Sequence, residues 1–71
     1  MIQPLLKQDV ITEKVRNWIL QGKYRPGDRL PTNIELAEFF GVNTRTVAAG
    51  LSRLVSEELI ERAPKRGTIV R

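Results

Sequence analysis

Cysteine and histidine are both missing from this chain. Without cysteine no disulfide can staple the core, which argues against a small secreted scaffold. The usual zinc ligands go with them, and neither a Ser–His nor a Cys–His nucleophilic pair can be built. The carboxylates that remain form no paired acidic motif. Catalysis is not expected, and no cofactor or metal is implied. No apolar run is long enough to span a bilayer and no signal peptide is visible, so a cytoplasmic location is expected. At 71 residues the chain is one small domain, burying roughly 60% of its unfolded surface.

What is present is positive charge. The net charge is +4 and the pI about 10.1, which suits a polyanionic partner such as nucleic acid, although ordinary solubility accounts for charge of this size too. From Asn43 onward Arg45, Arg53, Arg62, Lys65, Arg66 and Arg71 face only Glu57, Glu58 and Glu61. That part carries +3 and the part before it +1.

The hydrophobic pattern predicts the elements. In "PLLKQDVITEKVRNWILQG", Leu6, Val10, Ile11, Val15, Trp18 and Ile19 recur at three- and four-residue steps, the signature of an amphipathic helix stopping near Gly22. Trp18, within that stripe, is expected in the core rather than against a base. Arg25-Pro26-Gly27-Asp28 reads as a type II turn, and Arg29-Leu30 leaves room for a stub of strand. Thr32-Asn33-Ile34-Glu35 is a capping box. It opens a short helix whose apolar face is Leu36, Ala37, Phe39 and Phe40, closed by Gly41. A third helix starts at Asn43, a good cap, with Val47, Leu51, Leu54 and Val55 as its buried stripe and Gly50 as a close-packing point. Leu59–Arg62 and Thr68–Arg71, joined through "PKRG", read as a β-hairpin.

The fold predicted is mainly α with a small β-wing: a winged helix-turn-helix of three helices, a two-stranded hairpin and a stub strand, occupying residues 1–71. This order explains an oddity in "GVNTRTVAAGL". Thr44, Arg45 and Thr46 are poor choices for a first turn, and an arginine there opposes the helix dipole. If the third helix enters a DNA major groove, those residues meet base edges. Arg45 can offer two donors to a guanine, and Ala48 and Ala49 let the helix sit deep. Asn43, Ser52 and Arg53 share that helix and its start. The N-terminus of the second helix offers N–H groups to a phosphate. Lys65 and Arg66 at the wing tip can reach backbone or minor groove.

Here the chain resembles the DNA-binding domain of the GntR family of bacterial transcription regulators. "PGDRLPT", "ELA", "GV", "TV", the pair Leu51 and Leu54, and "RGTIV" fall in the family order from about Ile11 to Val70. The resemblance implies DNA-facing roles for Thr32, Thr46 and Gly67, and for Thr44 and Arg45; with the reading of the third helix and the wing, the candidate DNA contacts are Arg29, Thr32, Asn43, Thr44, Arg45, Thr46, Ala48, Ala49, Ser52, Arg53, Lys65, Arg66 and Gly67. The resemblance also implies a repressor acting on double-stranded DNA at a pseudo-palindromic operator in the bacterial nucleoid. Family members continue into a dimerising, effector-binding domain, so the chain is expected to be an N-terminal fragment of a homodimer whose small-molecule effector binds outside these residues. The family commonly carries arginine where this chain has Ile34, Thr44 and Ala48; here an arginine stands one place along, at Arg45, rotated by about 100° on a helix.

Blander readings compete. Arg45 alone could be a solvated arginine, and Lys65 and Arg66 could be charges guarding a sheet edge. Glu35 is explained by the capping box. A winged helix can also serve as a protein–protein interaction module, but a third helix used that way would expose an apolar patch, and this one shows Asn, Thr, Arg, Thr, Ala and Ser.

Overall fold

The computed structural model describes residues 7–71. Helix α1 spans Lys7–Leu20, α2 Asn33–Phe40 and α3 Thr44–Ser56; strands β1 (Ile60–Ala63) and β2 (Gly67–Val70) follow. Leu6, expected in the first apolar stripe, lies outside the described residues. No helix among them is long and apolar enough to cross a membrane.

Each helix ends where local chemistry stops it. After α1 the Gly22 N–H donates to Ile19 at 3.1 Å and the Lys23 N–H to Trp18 at 2.9 Å, a Schellman closure. Thr32 caps α2 in the extended conformation with both arms of the capping box in place. Gly41 closes α2 at φ 71°, a left-handed conformation costly for any residue with a Cβ. The Val42 N–H then reaches back to the Ala37 carbonyl at 3.0 Å, turning the chain straight into α3. Helix α3 ends in a second Schellman closure, Glu58 N–H to Val55 and Leu59 N–H to Leu54, with Glu58 itself at φ 63°.

The core is built from Ile11 and Val15 of α1, Leu30, Leu36 and Ala37, Val47, Leu51 and Leu54 of α3, and Ile60 and Val70 of the hairpin. Val10 and Val55 are only half-buried. Trp18 is half-buried as well and packs against that core as expected, its ring stacked on Phe40 at 5.8 Å. Phe39 does not join the apolar face assigned to it: it is 70% exposed, with its ring edge on Trp18. An eight-residue helix points only about two turns at the core, and Leu36, Ala37 and Phe40 fill them.

β1 and β2 pair antiparallel, Ile60 opposite Val70 and Ala63 opposite Gly67. β1 starts one residue later than expected, the Leu59 N–H being taken by the closure of α3, and β2 runs one residue earlier, from Gly67 to Val70. The stub strand is present: Arg29 bridges Ile69, and the Leu30 N–H donates to the Thr68 carbonyl at 2.9 Å. β2 therefore lies between β1 and the stub. Asp28 N–H donates to Arg25 at 2.9 Å across Pro26 and Gly27, the latter at φ 93°, as a type II turn requires. Three helices, a stub and a hairpin in this order form a winged helix-turn-helix.

Candidate nucleic-acid interface

Helix α3 presents two opposed faces. Val47, Gly50, Leu51 and Leu54 are buried. Arg45, Ser52 and Ser56 are exposed on the other side, with half-buried Ala49 among them. Asn43 fixes the start of the helix. Its Oδ1 accepts from the Thr46 N–H at 2.8 Å and from the Thr46 hydroxyl at 2.9 Å. That second bond narrows what Thr46 can do. Here its hydroxyl proton goes to the cap, an exposed bond that a phosphate would have to displace for Thr46 to donate to it. Asn43 keeps its amide N–H2 for an outside partner. Thr44 and Arg45 are exposed, and Arg45 forms no ion pair among the described residues.

The capping box at the start of α2 forms as its sequence predicts. Thr32 N–H donates to Glu35 Oε1 at 2.8 Å, and Glu35 N–H donates to Thr32 Oγ1 at 3.1 Å. The Asn33 and Ile34 N–H groups remain outside the box, and the Thr32 hydroxyl still has its proton to donate.

The wing turns tightly. Arg66 N–H donates to the Ala63 carbonyl at 3.1 Å across Pro64 and Lys65, and Lys65 sits at φ 69°. Lys65, Arg66 and Gly67 are all exposed. Gly67 takes φ 85°, and a Cβ there would meet only the Arg29 side chain, at 3.6 Å; the glycine is required by conformation rather than by space. That same approach brings Arg29 to the base of the wing, where it lines a shallow cavity of about 490 Å³ together with Glu61 and Arg66.

The three acidic side chains of this half pair with Arg16 or Arg71, and Glu61 also lines the cavity that it shares with Arg29 and Arg66. Arg16 of α1 donates from Nη2 to Glu57 Oε2 at 2.5 Å and from Nε to Glu57 Oε1 at 3.2 Å, and it also pairs with Glu13. These bonds, Glu57 first and Glu13 second, raise the Arg16 pKa above its already high value. Glu58 and Glu61 lie 4.0 and 3.8 Å from Arg71. Exposed pairs of this kind add little stability, but their geometry leaves the positive charge of Arg45, Lys65 and Arg66 uncompensated by ion pairs among the described residues.

Two candidate positions behave differently from the rest. Arg53 lies on the α1 side of α3, 3.9 Å from Glu57 and beside Asp9 and Glu13, apart from the Arg45 face. Ala48 is half-buried, and its carbonyl accepts a hydrogen bond from Arg62 Nη2 at 3.2 Å. Sequence reasoning assigned no role to Arg62. The available signal was its register: two residues beyond buried Ile60, it falls on the strand face that packs on α3. Among the described residues the large exposed apolar side chains are Leu20, Ile34 and Phe39, none of them on α3.

Comparison with known proteins sets this geometry in a family. Residues 7–70 match the model of the bacterial regulatory proteins of the gntR family. The chain is 38% identical over 69 residues to the mannosyl-D-glycerate transport/metabolism system repressor MngR of Escherichia coli, covering 97% of this chain and 28% of that protein. It is 42% identical over 60 residues to the transcriptional repressor NagR of Bacillus subtilis, covering 84% of this chain and 25% of that one. The chain thus spans about a quarter of the length of these curated relatives. Among solved structures, AraR(DBD) in complex with operator ORE1 superposes with a TM-score of 0.91 at 34% identity, covering all of this chain and 84% of that one. YtrA from Sulfolobus acidocaldarius, a GntR-family transcription factor, superposes with a TM-score of 0.83 at 34% identity over all of this chain and 72% of that one. With its three helices, wing and family match over residues 7–70, the chain belongs to the GntR family of bacterial transcription regulators.

Proposed function

We propose that this domain is the reading head of a bacterial transcription repressor and binds double-stranded DNA by sequence. Helix α3 enters the major groove, Arg45 reads a base edge, and Asn43 and Thr44 assist from the first turn. Ala49 and Ser52 line the groove wall. Lys65, Arg66 and Gly67 place the wing on the backbone or in the minor groove, with Arg29 at its base. Thr32 and the open N–H groups of α2 meet a phosphate. A protein that pairs two such heads reads two half-sites of a pseudo-palindromic operator. Dimerisation and the binding of a small-molecule effector then belong to chain beyond these 71 residues, and the regulator works in the cytoplasm on the nucleoid.

The observation that carries this reading is the charge arrangement: Glu57, Glu58 and Glu61 are drawn to Arg16 and Arg71, while Arg45, Lys65 and Arg66 stand exposed without carboxylate partners among the described residues. Two relatives named as repressors and a similar domain solved with its operator support it. The exposed face of α3 is polar, which disfavours a protein-docking role.

A fluorescence titration of duplex DNA against salt tests the proposal. A head neutralising about four phosphates gives a slope of log K on log salt near −4. A slope near zero removes nucleic acid as the partner.

A further inference from the structure

Arg62 sits in the angle between α3 and the wing. It shares a strand face with Ile60, which is buried on α3, but lies two residues nearer the wing tip and is exposed. Its Nη2 donates to the Ala48 carbonyl at 3.2 Å and, more weakly, to the Ser52 hydroxyl at 3.4 Å. Those acceptors are four residues, about one helical turn, apart on the flank of the α3 reading face. The preceding residue, Glu61, points to the opposite face of the hairpin and meets Arg71. Arg62 has no carboxylate partner among the described residues. A guanidinium has five N–H donors, and the two bonds to α3 use only those of Nη2.

This placement has a consequence for DNA that rests on the reading proposed above. If α3 lies in the major groove and the wing in the neighbouring minor groove, one sugar–phosphate strand runs between them. The side chain that spans the angle between α3 and the wing faces that strand. We infer that Arg62 is a phosphate clamp: tied to α3 through Nη2, it presents its remaining N–H donors to the backbone that separates the two grooves. The tether matters because an arginine already held in place gives up less rotamer freedom on binding. Lys65 and Arg66, at an exposed tip, lack such a hold. A phosphate contact adds affinity without reading sequence.

Arg62→Gln tests the assignment, because it removes the charge and shortens the side chain while leaving it polar, and Arg62→Lys keeps the charge without the fork. The 71-residue chain is titrated at several salt concentrations with a mixed-sequence duplex of about two helical turns and with a duplex selected by the wild type. The magnitude of the salt slope is expected to fall by about 0.9, so that the drop in affinity at 50 mM salt exceeds the drop at 200 mM by about 3- to 4-fold. Both duplexes are expected to weaken by the same factor, and Arg62→Lys is expected to restore the slope. An Arg62→Gln slope equal to that of the wild type reduces Arg62 to a brace between wing and helix and overturns the inference. A weakening confined to the selected duplex makes it a base reader and overturns it equally. A wild-type slope near zero removes the DNA-binding reading itself, whereas a steep wild-type slope retained in Arg62→Gln removes this assignment alone.

Discussion

The Thr12 hydroxyl lies 2.8 Å from the carbonyl oxygen of Gly50, at a point where α1 and α3 pack too closely for a side chain. A Cβ at Gly50 would come within 2.8 Å of the Gln8 carbonyl oxygen and 3.1 Å of Ile11. The obstruction is partly backbone, which cannot swing aside. This crossing fixes the tilt of α3 on α1, and hence the direction in which Arg45 faces.

Gly50→Ala is therefore expected to destabilise the domain. Overpacking costs roughly 1–3 kcal/mol, and the gain of about 1 kcal/mol from replacing a helical glycine offsets only part of it. A net loss on the order of 1 kcal/mol lowers Tm by about 4–8 °C in a domain of this size. Thermal unfolding followed by circular dichroism measures it; an unchanged or higher Tm contradicts the packing described.

Glu58→Gly is expected to act in the opposite direction. Glu58 holds φ 63° in the closure of α3, where glycine is the usual occupant. A left-handed residue with a Cβ costs about 1–2 kcal/mol, and glycine's extra unfolded-state freedom returns roughly 0.5–1 kcal/mol of that. The exposed approach to Arg71, at 4.0 Å, adds little. Denaturant unfolding is expected to show a gain of several tenths of a kcal/mol to about 1 kcal/mol; a drop in stability means the carboxylate does more at α3 than its geometry indicates.

Much of this architecture is legible because its signals are local. Thr32 and Glu35 stand three residues apart, and Asn43 precedes a stripe at helical spacing; both produce the cap expected of them. Gly50 announces its close approach by interrupting an apolar stripe. What is not legible depends on neighbours far along the chain. Phe39 has the spacing of a core residue and is exposed because α2 is too short to bury it. Arg53 reads as a groove residue, and its neighbours Glu13 and Asp9 on α1 are not visible in its own helix. The hydrogen bond from the Thr46 hydroxyl to Asn43 depends on a rotamer that no spacing rule fixes. Arg62 escapes a reading of spacing alone because a charged residue at an inward strand position reads as an edge until α3 supplies acceptors for it.

Lys65→Ala and Arg66→Ala separate affinity from specificity. Both side chains are exposed at the wing tip and form no ion pair among the described residues. Each substitution is expected to weaken selected and random DNA alike and to reduce the magnitude of the salt slope by about one for each phosphate no longer neutralised. Anisotropy titrations on both DNAs give the comparison. A weakening restricted to the selected sequence assigns base reading to the wing instead.

The reading role of α3 rests on Arg45, an exposed arginine in the first turn of the helix, opposite the buried Val47, Leu51 and Leu54. Selecting the preferred duplex from a randomised pool and then titrating wild type and Arg45→Ala against selected and random DNA tests it most directly. A bidentate arginine–guanine contact is worth about 1–3 kcal/mol of discrimination, so Arg45→Ala is expected to narrow the ratio of selected to random affinity by roughly 5- to 150-fold. Its Tm is expected to stay at the wild-type value. Equal weakening on both DNAs would place Arg45 on the phosphates and contradict the account of how this helix reads sequence.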